Sequence, residues 1–284
     1  MADTAYQVQY RQEFIAGFED RQSVLRATTV QEADVKGNQA VFLVADSGSA
    51  TAVTRGVNGM IPARADNNTQ TTTTLVEYHD LVRKTNFNVM SSQGNQRAIM
   101  QMTSMAVINR KIDDLIIAQL DTATNDTGAA APASLDLVIN AQTILGNNFV
   151  DLSDEENIFG VITPAFRGYL AQIPEFASAD YVEVRPLTGP PRRFQRWMGI
   201  NWIVHPRLTN SVGAGGTAAS EQCFIYHRNA IGHAVHMANI EARVGYDEEQ
   251  AYSWCRSTVH MGASLLQNAG IVMIKHDGSG YVAQ

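Results

Sequence analysis

Hydrophobic and polar positions divide this chain into segments of different period. Between Asn95 and Thr124 no Pro or Gly interrupts, while Ile99, Met102, Met105, Ile108, Ile112, Leu115, Ile116 and Leu120 recur at steps of three and four. That spacing is the apolar stripe of an amphipathic helix. At ~1.5 Å per residue such a rod would reach about 45 Å. A second helical pattern runs from about Ala5 to Leu25, where Tyr10, Phe14 and Phe18 fall four apart and Arg11, Gln12, Glu13 and Glu19 take the other side. This amphipathic segment either lies on the chain's own core or packs as an arm on a neighbour, and periodicity alone favours the first. "LDLVINAQTILGNN" predicts a further helix, Ile158 to Thr163 a buried strand, and Pro164 the first turn of the helix after it.

Extended segments lie between these helices. "GNQAVFLVADSG" from Gly37 reads as a strand between turn signals, and "TRGVNGMIPARADNN" as a loop. "NTQTTTTLVEYHDLVRKTNFNV", Asn68 to Val89, then stays extended, far beyond the ~5–6 residues of an ordinary strand. Alternation puts Val76, Tyr78 and Val82 on one face, and Glu77, His79 and Arg83 mostly on the other. Neither face is cleanly apolar, so the ribbon is expected to draw its support from another surface. "NDTGAAAPAS" is a small-residue connector and candidate boundary. "RRFQRWMGINWIVHP" predicts a strand interrupted at Gly, and "NSVGAGGTAAS" a mobile loop. "AYSWCRSTVHMGASLLQNAGIVMIKHD" predicts strand, turn at Asn268–Gly270, and strand.

Composition narrows the function classes. The 284 residues are 45% hydrophobic and 17% charged, which is ordinary for a globular chain and allows one large domain or two interleaved ones. Twenty-one basic against twenty-eight acidic residues leave a net charge of −7, which argues against a dedicated sequence-reading DNA binder. Lysine occurs only at positions 36, 84, 111 and 275, so arginine carries most of the positive charge. Two distant cysteines, Cys223 and Cys255, read as reduced thiols. No apolar run approaches the ~18–20 residues of a membrane span, and "MADTAYQVQYRQEF" has no signal-peptide core.

Candidate chemistry is sparse. His227, His233 and His236 could supply metal ligands, but a zinc site needs further ligands at fitting spacing, and ordinary structural histidines are the simpler reading. "VGAGGT" is rich in glycine, yet the residues after it do not open a dinucleotide site. Phosphate-loop, nucleophile-elbow and zincin motifs are absent, and no cofactor is expected. Charge is more informative. Asp151, Asp154, Glu155, Glu156, Glu175, Asp180 and Glu183 face only Arg167, and Arg185, Arg192, Arg193, Arg196 and Arg207 follow with no acid between the first and last. Two solvated faces, a head-to-tail contact between copies, or phosphate contact with nucleic acid would each account for this pattern.

The order of parts resembles the major capsid proteins of tailed bacteriophages, with their Hong Kong ninety-seven-type fold of α+β class. "TLVEYHDLVRKTNFNV" resembles the extended loop, "MAVINRKIDDLIIAQL" the spine helix, "GVITPAFRGYLAQIPEFASADYV" the strand and helix of the axial domain, and "HMGASLLQNAGIVMIK" the closing strands of the peripheral domain. The resemblance implies an arm over 1–36, an extended loop with flanking strands over 37–92, a peripheral domain over 93–130 and 237–284, and an axial domain over 131–236. It implies a non-enzymatic virion subunit that assembles with itself, in the host cytoplasm, into hexamers and pentamers of an icosahedral head. It also implies packaged double-stranded DNA bound without sequence preference, scaffolding, portal and decoration proteins as partners, and no membrane. Inter-subunit contacts are expected at Phe14, Phe18, Val76, Tyr78, Val82, Arg192, Arg193, Arg196, Glu155 and Glu156. An encapsulin-like compartment shell is the alternative, and a soluble α/β enzyme with a site near His227–His236 a more distant one. Crosslinking through Lys84 is not expected, because no partner Asn or catalytic acid can be matched.

Overall fold

The computed structural model describes residues 22–32, 35, 37–47, 50–64, 67–86, 88, 96–173, 195–236 and 241–281. The long apolar stripe forms α1 (Gln96–Leu120), 25 residues and about 37 Å at ~1.5 Å each. It stops short of Thr124 because the chain tightens: Thr122 and Ala123 donate to Gln119 and Leu120, three residues back. Met100, Ser104, Ile108, Ile112, Ile116 and Leu120 line its buried face. Met102, expected inward, is 44% exposed, so the stripe's first turns follow Met100 and Ser104.

Beneath α1 lies a five-stranded sheet. β1 (Val30–Glu32) pairs in parallel with β9 (Ile231–Val235). β4 (Val76–Thr85) and β10 (Glu241–Asp247) both run antiparallel to β11 (Tyr252–Leu265). Since β4 and β10 face the same residues of β11, they occupy its opposite edges. Met261 pairs with both Val76 and Val235, so β9 continues the edge that β10 begins.

The second layer is another five-stranded sheet, in the order β12-β8-β5-β7-β6. Its strands are β5 (Ile158–Ile162), β6 (Gln195–Trp197), β7 (Ile200–Val204), β8 (Glu221–His227) and β12 (Ile271–His276). Every residue of the central β5 is buried. A Cβ on Gly160 would sit 2.7 Å from the Trp202 ring, so this strand needs glycine where the indole crosses it. α2 (Leu135–Asn147) buries Leu137, Val138, Ala141 and Leu145 on this core. α3 (Pro164–Leu170) starts as expected, with Pro in the first turn and the Thr163 hydroxyl accepting from Phe166 N–H at 3.2 Å.

The third unit is a two-stranded ribbon, β2 (Gln39–Asp46) with β3 (Asn67–Thr74). Ala40 and Phe42 turn inward at its root, packing with Val35, Ala234 and Leu266. A Cβ on Gly262 of β11 would fall 2.6 Å from Thr73 and the Thr74 carbonyl, so glycine lets the root cross the sheet closely.

Several expectations shift here. The continuous ribbon of 68–89 breaks at Leu75, whose N–H turns to the Asn38 carbonyl at 2.8 Å. Only Asn67–Thr74 belongs to the two-stranded unit, while Val76–Thr85 is a strand of the chain's own main sheet. The support predicted from another surface is therefore β11 of the same chain. The closing segment is strand, turn at Asn268–Gly270 and strand as expected, but β11 sits in the first sheet and β12 in the second. β9 likewise joins the first sheet although residues 131–236 were assigned to the other unit. The glycine-rich stretch is not loose. A Cβ on Gly213 or Gly216 would meet the Pro206 or Asn210 carbonyl oxygen at 2.1 or 2.3 Å, and Ser211 bonds Pro206.

Candidate assembly interface

Burial stops abruptly along the β2–β3 ribbon. Beyond Phe42 the chain exposes Leu43 at 80%, Val53 at 61%, Val57 at 107%, Met60 at 76% and Ile61 at 67%. Every described residue from 50 to 64 is exposed. Large apolar side chains concentrated on one projecting element mark an interaction surface. The same stretch carries Arg55 and Arg64 and no acid between Asp46 and Asp66, so its chemistry is apolar and basic. The loop was legible from its Gly, Asn and Pro content, but its role was not. The available signal was the four apolar residues Val53, Val57, Met60 and Ile61 inside a turn-rich segment with no strand pattern to bury them.

The predicted contact residues divide. Tyr78 packs against the chain's own core, with the Lys111 ammonium 5.0 Å over its ring. Val82 lies opposite Cys255 within the sheet. Val76, at the end of the strand, is 48% exposed. Arg196 pairs with Glu155 of its own chain, and Arg207 grips Asp114 on α1 through two hydrogen bonds of 3.1 and 2.8 Å. One pair, Arg196 with Glu155, thus joins the basic and acidic blocks within the subunit, while Arg207 is held by α1 instead. Glu156 is exposed. Phe14, Phe18, Arg192 and Arg193 lie outside the described residues.

The histidines are tied to structural partners. His227 faces Asp154 at 3.4 Å. His233 is buried with Nδ1 2.7 Å from the Thr29 hydroxyl, and burial lowers its pKa to about 4. The N–H of His236 donates to the His260 carbonyl at 3.0 Å. Glu77 stands between His79 and His260, at 3.2 and 3.3 Å, and the hydrogen bond from His260 holds its carboxyl below the usual range. Among the described residues, no group of three or more His, Cys, Asp or Glu is arranged to hold a metal ion. Burial pushes the Cys223 thiol up to about 12, which leaves it protonated and unreactive. The buried Glu221 carboxylate, raised by desolvation, accepts from the Thr163 hydroxyl that also caps α3. These groups hold elements together. No helix among the described residues is long and apolar enough to cross a membrane.

Two five-stranded sheets, the first carrying the long helix α1, and a ribbon with exposed apolar side chains make up the subunit. The chain belongs to the phage capsid protein family, whose model matches residues 2–278. It is a structural protein of the virion shell. No curated protein matches the sequence. Among solved structures, a chain of Mycobacterium phage Che8 superposes with a TM-score of 0.76 at 14% identity, covering 96% of this chain and 98% of that one. A chain of Gordonia phage Cozz gives 0.71 at 11% identity, covering 99% and 92%. A chain from the capsid of a native GTA particle gives 0.67 at 14% identity, covering 96% and 95%. At such identities the likeness establishes the fold.

Proposed function

We propose that this chain assembles with itself into hexamers and pentamers that close an icosahedral head, in the host cytoplasm, around double-stranded DNA. The observation that carries the reading is the β2–β3 ribbon, whose apolar side chains at positions 43, 53, 57, 60 and 61 are exposed. A neighbouring copy covers them. The second sheet with α2 and α3 forms the axial unit, and the first sheet with α1 the peripheral unit. Phe14, Phe18, Arg192, Arg193 and Glu156 contribute further contacts between copies. A net charge of −7 suits a wall that encloses DNA without gripping it, since a strongly basic wall would bind phosphates through counterion release. Scaffolding, portal and decoration proteins complete the set of partners.

Replacing residues 47–66 by a two-residue turn tests the ribbon. The unassembled subunit keeps its fold, because neither five-stranded sheet uses these residues, while electron microscopy finds no closed shells. Normal shells from that deletion contradict the reading. The cut stops before Val76, because removing β4 would strip β11 of ten paired positions and unfold the subunit.

A further inference from the structure

Phe149 follows α2 where the helix is closed by a left-handed residue. Its φ is +61°. Its N–H donates to the Gly146 carbonyl at 3.1 Å, and Val150 N–H donates to the Leu145 carbonyl at 3.2 Å. This bond pair is the helix closure in which glycine is the usual occupant, because a Cβ crowds the backbone there. A benzyl side chain is therefore less stable than glycine at this position. Burial does not offset that, since Phe149 is 87% exposed. Val150, in contrast, packs on the core and makes the apolar contact that accompanies such a closure. Folding of the subunit does not call for phenylalanine at 149.

Its location gives it a use. Phe149 lines a cleft with Asp46, Asn148, Asp151, His227 and Ala269. Asp46 ends β2, so one wall belongs to the ribbon and the other to the body of the subunit. A copy that lay under the ribbon would stand beside this cleft, where Phe149 is exposed. The Ser153 hydroxyl and N–H hold the Asp151 carboxyl below its ordinary range, so it is charged at neutral pH. The aromatic side chain thus stands among carboxylates, with His227 beside it bonded to Asp154.

We propose that Phe149 is an anchor between copies, buried against the second copy of this chain that the same subunit's ribbon covers. The proposal rests on the shell-forming reading and names a further contact in it. The test uses the full chain with Phe149→Gly and Phe149→Leu. Phe149→Gly leaves the urea midpoint of the unassembled subunit unchanged or raises it, yet lowers the yield of closed shells at limiting concentration by about tenfold or more, as loss of an aromatic hot spot does. Phe149→Leu keeps an apolar side chain at the same backbone and retains most of the yield. Wild-type shell yield from Phe149→Gly overturns the anchor, and so does a fall in subunit stability large enough to explain the lost shells. In either case the ribbon deletion still decides the capsid reading separately. Failure of the wild-type chain to assemble with itself overturns both.

Discussion

At the scale of single residues, His233 sets how the subunit responds to acid. Its ring is buried against Thr29, and Arg26 and Arg228 add to the burial that lowers its pKa to about 4. In the unfolded chain the ring titrates near ~6.5. The folded value is the lower one, so as pH falls the unfolded chain takes up the proton first. The stabilisation is complete above pH ~6.5 and is lost as pH drops to about 4, by roughly 3 kcal/mol. Urea unfolding of the subunit between pH 4 and 7 will show this slope, and His233→Gln will flatten it. The sequence placed His233 among ordinary structural histidines but could not name its partner, because Thr29 is 204 residues away. Tyr78 makes the same point. Its alternation with Val76 and Val82 was legible, but periodicity marks a face without saying which surface covers it. The covering surface is the chain's own α1 layer, through Lys111. Arg196 and Glu155 carried visible opposite charge, and the turn at Met198 and Gly199, both at positive φ, folds Arg196 beside Asn201, whose side chain bonds the Glu155 carbonyl.

At the scale of elements, Asp113 joins the start of the described chain to α1. Its carboxylate accepts from the N–H groups of Val24 and Leu25, each at 3.1 Å, and from the Ser23 hydroxyl at 2.5 Å. Only 4% of Asp113 is exposed. Asp113→Ala leaves two buried backbone donors unpaired and is expected to cost roughly 2–4 kcal/mol. Equilibrium unfolding of unassembled subunits will measure the loss, and faster proteolysis near residues 22–28 will locate it. Helices and central strands were the readable elements: α1, α2, β5 and α3 start and stop within a few residues of their periodic and capping signals. Sheet membership was not readable. β8, β9 and β12 are buried on both faces along most of their length, and a strand without alternation does not say which sheet receives it. The exposed ribbon was read in the wrong half for a related reason. The threonines of β3 and the mixed residues of β4 both suit extended chain, and only the bond from Leu75 to Asn38 separates them.

At the scale of the whole molecule, assembly should change which bonds of the chain a protease reaches. Residues 50–64 are exposed throughout in the lone subunit and include Arg55 and Arg64, so among the described residues trypsin will cut there first. Closed shells will protect these sites by at least tenfold in rate, which mass spectrometry of timed digests will resolve. Equal cleavage in both states would mean that no copy covers the ribbon. The chain also passes between its two sheets twice at one place. One passage links β8 to β9 through Arg228–Ala230, and the other links β11 to β12 through Asn268–Gly270. They touch, with Leu266 and Gln267 donating to the Ala230 carbonyl at 2.8 and 3.2 Å. Two covalent straps riveted side by side resist sliding and twisting of one sheet on the other, and yield most readily by folding about the line that joins them. A force that pulls the two sheets apart would therefore load these two antiparallel backbones together.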